Sequence, residues 1–184
     1  MIRRSIFDPR TIGGLALWLD ASDQPSAGAW LDKSGNARNA SQLATNNQPE
    51  LALDIQGGRP GIFFDGINDS LSIPVVSLSA WHAFAVVNPA IASQRTVIHL
   101  TAGTTSIFTL SASTTGVQVA TASGNATTVS AQYGADTRIG ASWDGGALKK
   151  FFSGYINEIL VYSAALASDP ATQVTRYLNG KWGL

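Results

Sequence analysis

The chain has 184 residues, twelve Lys and Arg balanced by twelve Asp and Glu, and no cysteine. That length suits one domain with one core, and a hydrophobic fraction of 45% supplies the core. Charged residues make up only 13%, about half the share usual in soluble domains. Arg3-Arg4 and Lys149-Lys150 are the only basic doublets. No basic stripe exists to neutralise phosphates, so nucleic acid is not an expected partner. Absent cysteine excludes disulfides and thiolate metal sites. No apolar run approaches the roughly 20 residues of a membrane helix, so a membrane partner is not expected. At the N-terminus, Asp8, Pro9 and Arg10 cut off the apolar pair Ile6-Phe7 before a signal peptide could form, which predicts a cytoplasmic product.

Residues 1–14 read as an arm with three arginines, ending in Gly13-Gly14, and residues 15–184 as the domain. Leu15 to Asp20 is a first apolar strand. A loop rich in Asp, Ser, Gly and Asn runs from Ala21 to about Pro49, with Trp30 and Leu31 as its main hydrophobic anchors; its length requires packing, which Trp30 supplies around a short strand. Strands then follow at 61–64, 70–73, 81–87, 96–100, 107–110, 117–120, 127–131 and 138–143. Short alternating segments at this spacing predict a sandwich or barrel. Residues 148–152 and 155–162 read as a hairpin across Ser153-Gly154. One helix follows, with Ser168 or Asp169 as its cap, Pro170 in its first turn and Val174, Tyr177 and Leu178 as its apolar stripe. Gly180 is placed to end it. Residues 96–135 contain no Asp, Glu, Lys or Arg. Interface cores are depleted in charge, and exposed strands normally carry charges that deter edge pairing, so this stretch favours contact with a neighbouring subunit.

The residues give little support to catalysis. No G-x-S-x-G elbow is present, and His82 and His99 sit alone within strands. Glycoside hydrolysis needs two carboxylates facing across the scissile bond. The only glutamates, Glu50 and Glu158, have no second acid in register on their strands. No catalytic, cofactor-binding or metal-ligating residue is therefore assigned. Two loops, Asp32-Lys33-Ser34-Gly35-Asn36 and Asp65-Gly66-Ile67-Asn68-Asp69, hold oxygen ligands of the kind calcium takes. Tight turns explain the same residue types better, and calcium is kept as the alternative. Trp18, Trp30, Trp81, Trp143 and Trp182 are candidate sugar platforms, with Trp18 and Trp30 read as core and Trp81 and Trp143 as the open choices.

Three segments then fall into a recognisable order: Trp18-Leu19-Asp20-Ala21-Ser22-Asp23, Trp30-Leu31-Asp32-Lys33-Ser34-Gly35-Asn36, and Arg59-Pro60 through Phe64-Asp65-Gly66-Ile67-Asn68-Asp69. Downstream come Gly154-Tyr155-Ile156-Asn157-Glu158-Ile159-Leu160-Val161-Tyr162, Ala165-Leu166 and Tyr177-Leu178-Asn179-Gly180-Lys181-Trp182-Gly183. This set resembles the laminin-G-like, concanavalin-A-like jelly-roll domains found in bacteriophage and bacterial surface proteins. The resemblance implies an all-β fold, a two-sheet antiparallel jelly-roll sandwich closed by one short C-terminal helix. A fold of this kind hosts many functions. The first expectation is a non-enzymatic virion protein of a tailed bacteriophage: a capsid decoration protein, homo-oligomeric, that contacts the major capsid protein through residues 1–14 and the uncharged stretch. The alternative is a carbohydrate-binding module of a tail fibre or host-recognition apparatus, with a surface glycan as its partner.

Overall fold

The apolar run Leu15–Asp20 forms β1, buried at every residue except the first. Such continuous burial marks a strand packed on both faces. The structure is a computed structural model that describes residues 7–184 apart from 24, 27, 75–77, 79, 92–94, 103–104, 113–115, 126–136 and 145–146. After β1 come β2 (Ala29–Trp30), β3 (Ala40–Ser41), β4 (Glu50–Gln56), β5 (Arg59–Asp65), β6 (Leu71–Ile73) and β7 (Ala80–Pro89). The chain continues through β8 (Arg95–Ala102), β9 (Thr105–Ala112), β10 (Gln118–Asn125), β11 (Thr137–Ile139), β12 (Ser142–Asp144), β13 (Ala147–Lys149) and β14 (Ser153–Tyr162). Helix α1 (Ser168–Trp182) ends it.

Two six-stranded antiparallel sheets result. The first runs β10-β7-β14-β5-β4, with β1 also on β14, and the second runs β2-β3-β6-β11-β8-β9. Leu17, Leu19, Ile62, Phe64, Val87, Ile156 and Val161 of the first sheet meet Trp30, Leu71, Ile73, Ile98 and Ile139 of the second. On the other face of the first sheet, Trp18, Phe84, Val86, Leu160 and Tyr162 pack beneath Val174, Leu178 and Trp182 of α1. The molecule therefore has three layers, and the first sheet is apolar on both faces wherever α1 covers it. Each fully buried side chain of this size stabilises the fold by about 1.5–3 kcal/mol.

The predicted two-sheet sandwich with a C-terminal helix is the observed fold, and several details differ. Residues 148–152 and 155–162 do not form a hairpin. Instead β13 turns back on β12, and β14 runs on through Gly154 to pair with β5 and β7. Gly154 makes this possible: a Cβ there would lie 2.3 Å from the Asn88 carbonyl oxygen, at a φ of +128° that side chains disfavour. The helix does not stop at Gly180. It continues one turn to Gly183, which adopts the left-handed conformation and donates its N–H to Asn179 O. Neither Ser168 nor Asp169 caps it; Ala167 holds that position without a side-chain bond. Residues 138–143 divide between β11 and β12, and the strand read at 127–131 lies outside the described residues. Trp30 anchors the long loop at 1% exposure, whereas Leu31, its successor on the opposite side of the chain, is exposed and anchors nothing. Of residues 1–14, Phe7 and Ile12 pack against the helix-side cluster, and Tyr162 donates its hydroxyl to Pro9 O at 3.2 Å.

Candidate functional site

At the C-terminal end of α1, the sheet holds a buried carboxylate. Register alternation would place Ile156 and residue 158 on the same face. A bulge between Ile156 and Glu158 breaks that parity, so Glu158 joins Leu160 and Tyr162 on the helix side. Its side chain is fully buried and accepts four hydrogen bonds. Trp18 Nε1 (2.7 Å) and the Tyr177 hydroxyl (2.8 Å) donate to Oε1. Trp182 Nε1 (2.7 Å) and Lys181 Nζ (2.9 Å) donate to Oε2. Charge-assisted bonds of this kind are the strong ones. Burial pushes the Glu158 carboxyl above the usual carboxylate range, and Lys181 opposes the rise. Burial and the Glu158 charge together raise the Tyr177 phenol.

Glu158 does have an acidic partner, which corrects the expectation that it has none. Asp20 of β1 lies directly opposite it across the strand pair. Lys181 bridges the two, with Nζ 2.6 Å from Asp20 Oδ2. The same oxygen receives Lys33 Nζ at 2.8 Å, and Lys33 continues to Asp23 at 2.9 Å. Burial raises Asp20, but Lys181, Lys33 and Ser22 outweigh it and hold the carboxyl below its ordinary value. Lys33 also sits 4.5 Å from the centre of the Trp18 ring.

Above this network opens a cleft of about 610 Å³, bounded by Phe7, Asp20, Lys33, Arg59, Tyr177 and Lys181. Glu158 and Asp20 fix Tyr177, Lys181 and Lys33 from below, so the wall is preorganised. Arg59 donates Nε to Lys181 O; among the described residues its terminal nitrogens make no further bond. Lys181 spends its three N–H groups on Asp20, Glu158 and the Tyr177 oxygen, and Tyr177 donates to Glu158, so the donors left for a ligand are chiefly the Arg59 terminal nitrogens.

The tryptophans are placed differently. Trp81 lies in the inter-sheet core at 7% exposure, not as a platform. Trp18, Trp30 and Trp182 are also buried, and the Trp143 side chain lies outside the described residues. Both faces of β7 are apolar, so parity could not reveal which way Trp81 points. Among the described residues the partly exposed Phe and Tyr side chains are Phe7, Phe63, Phe151, Tyr155 and Tyr177. His82 stacks on Phe84 on the first sheet, while His99 is buried in the second. Burial depresses the pKa of both.

The two loops considered for calcium are built as turns. Asp32 accepts from the Trp18, Ser34 and Arg38 amides and from the Ser34 hydroxyl. Asp65 Oδ1 accepts from the amides of Ile67, Asn68 and Asp69. Among the described residues no group of three or more His, Cys, Asp or Glu could hold a metal. Burial raises Asp69 to about 6, and the nearby Asp65 and Glu50 charges add to the rise. A carboxyl raised on folding binds its proton more tightly in the native state. Stability is then expected to increase as pH falls through 6 towards the ordinary carboxylate value, by at most about 1.4 kcal/mol per pH unit. Urea titrations of the wild type and Asp69→Asn between pH 7.5 and pH 4.5 check this. The wild type should gain relative to the variant, and parallel profiles would refute it.

No family model matches the chain, and no curated protein matches it. Solved structures do. Domain 4 of AbnA, an extracellular GH43 arabinanase from Geobacillus stearothermophilus solved with arabinotriose, is 15% identical. That match covers 88% of this chain and 98% of the domain, with a TM-score of 0.57. Trypanosoma rangeli sialidase, solved with sialic acid, is 15% identical with a TM-score of 0.55, matching 92% of this chain. This chain spans only 33% of the sialidase. At such identities the likeness speaks to architecture alone: the chain is an antiparallel β-sandwich domain.

Proposed function

We propose that this domain is a carbohydrate-binding module and that the cleft beside the end of α1 receives the sugar. The observation that carries the reading is the cleft itself: a concave site in which the Arg59 terminal nitrogens and the Lys33 ammonium lie beside the rings of Phe7 and Tyr177. Sugar hydroxyls need convergent, preorganised hydrogen-bonding groups beside an apolar wall. Here Phe7 and Tyr177, whose ring centres lie 5.6 Å apart, supply that wall. The fold likeness to a domain solved with arabinotriose over almost its whole length supports the same reading. Asp20 and Glu158 support a non-catalytic role. They are 2% and 0% exposed and both hold Lys181, so neither is placed to exchange a proton with a glycosidic oxygen. Nothing in the fold or in these likenesses favours a virion role over sugar binding.

A glycan array with neutral, acidic and sialylated oligosaccharides, followed by calorimetry with arabinotriose and the array hits, tests the proposal. The wild type is expected to bind at least one class, and Arg59→Ala to weaken that binding about tenfold or more. Failure of the folded wild type to bind any class would refute it.

A further inference from the structure

We propose that the first sheet carries a second, separate glycan-contact surface on its outer face, beyond the edge of α1, suited to an uncharged polysaccharide chain. This inference rests on the carbohydrate-binding reading.

Four residues form one straight row across β4, β5, β14 and β7. Glu50 pairs with Phe63, Phe63 with Tyr155, and Tyr155 with Asn88. Directly opposed residues share a face. That face is the outer one, because the sequence neighbours Ile62, Phe64, Ile156 and Val87 all point into the inter-sheet core. The row crosses three strand spacings, about 14 Å, the length of a short oligosaccharide.

Its chemistry alternates as a sugar surface requires. Phe63 and Tyr155 stand at the centre as a tilted pair with ring centres 5.2 Å apart, and both remain partly exposed. Along the strands the row is flanked on one side by Gly61, where the Asn157 amide fills the place of a side chain (a Cβ there would lie 3.1 Å from Asn157 Nδ2), and on the other by Ser153 opposite Asp65. At the two ends, the Glu50 carboxylate and the Asn88 amide form no hydrogen bond to the protein among the described residues. Planar polar groups beside aromatic faces can bind ring hydroxyls while the rings cover apolar C–H faces.

Charge selects the ligand. Glu50 and, one row along, Asp65 give this edge negative charge, and the Asp69 carboxyl feels both. No cation stands in either row. An acidic polymer would be repelled here, whereas the cleft, with its lysines and arginine, makes no such demand. The row is open and extended, so it suits an internal stretch of a chain.

Affinity electrophoresis through gels containing soluble arabinan, xylan, mixed-linkage β-glucan or polygalacturonate tests the proposal, with the calorimetry above as the reference for the cleft. The wild type is expected to be retarded by at least one neutral polymer and not by polygalacturonate. Tyr155→Ala should lower that polymer affinity about tenfold while leaving the cleft ligand's Kd within about twofold. Asn88→Ala, at the end of the row opposite Glu50, should act in the same direction; it provides the test if Tyr155→Ala fails to fold, as judged by circular dichroism. Retardation unchanged in both variants, or equal retardation by polygalacturonate, overturns the second surface. Absence of retardation on every neutral polymer, with cleft binding intact, overturns it alone. Loss of binding in both assays by the wild type overturns the carbohydrate reading as well.

Discussion

Glu158→Ala is expected to destabilise the domain by about 3–5 kcal/mol, the range for removing one partner of a buried charged pair. Four donors lose their acceptor at once: the indoles of Trp18 and Trp182, the Tyr177 hydroxyl and the Lys181 ammonium. Lys181 keeps Asp20, but both indole N–H groups are left in a site that excludes water. Each unsatisfied buried donor costs about 1–3 kcal/mol, and the cavity left by the side chain adds to this. The effect falls on the junction of β1, β14 and α1, so the helix should loosen from the sheet. Urea denaturation checks the free energy, with a melting temperature lowered by roughly 6–20 °C. Glu158→Gln keeps one acceptor oxygen and should lose less. A loss below about 1 kcal/mol for alanine would mean that the four bonds are not made in solution.

Much of this frame is written locally in the chain. Alternation at 70–73 reads directly as β6, and the apolar run 155–162 as most of β14. Pro170 and the positions of Val174 and Leu178 identify α1, because a helix buries what recurs at its own period. The site depends on contacts between distant positions. Asp20 and Glu158 meet across paired strands 138 residues apart, and a search for acids within one strand cannot see them. The bulge at Asn157 then changes which face Glu158 occupies, against simple parity. The helix end failed for a related reason. Gly180 is a good stop locally, but Lys181 and Trp182 must stay helical to reach Glu158, so tertiary bonds override the local preference. Tyr177 and Lys181 at i, i+4 next to Trp182 were the available signal: two donors on one helical face, followed by a third. The Phe63–Tyr155 row was illegible because its adjacency exists only once β5 lies beside β14.

Lys181→Met is expected to cost about 3–5 kcal/mol near neutral pH, and the cost should shrink as pH falls. Lys181 is the only cation that touches both Asp20 and Glu158 among the described residues. Without it, Asp20 retains Lys33 and Ser22, but Glu158 keeps only neutral donors beside a facing carboxylate. Glu158 is already raised by burial with Lys181 in place, and removing the ammonium raises it further. The sign follows from proton binding. In the unfolded chain Glu158 titrates at its ordinary value; in the folded variant it titrates higher. Between those values the native state holds a proton that the unfolded state has released, so acidification favours folding. The wild type shares this tendency less strongly because its ammonium already compensates the charge. The difference in unfolding free energy between wild type and Lys181→Met should therefore narrow from pH 8 to pH 5, up to about 1.4 kcal/mol per pH unit. A difference that stays constant across that range would show that Lys181 contributes packing and not charge balance. Adding Glu158→Gln to Lys181→Met removes the stranded charge and should abolish the pH dependence while restoring part of the lost stability. Restoration at neutral pH alone, with none at pH 5, would identify the buried carboxylate as the source of the cost.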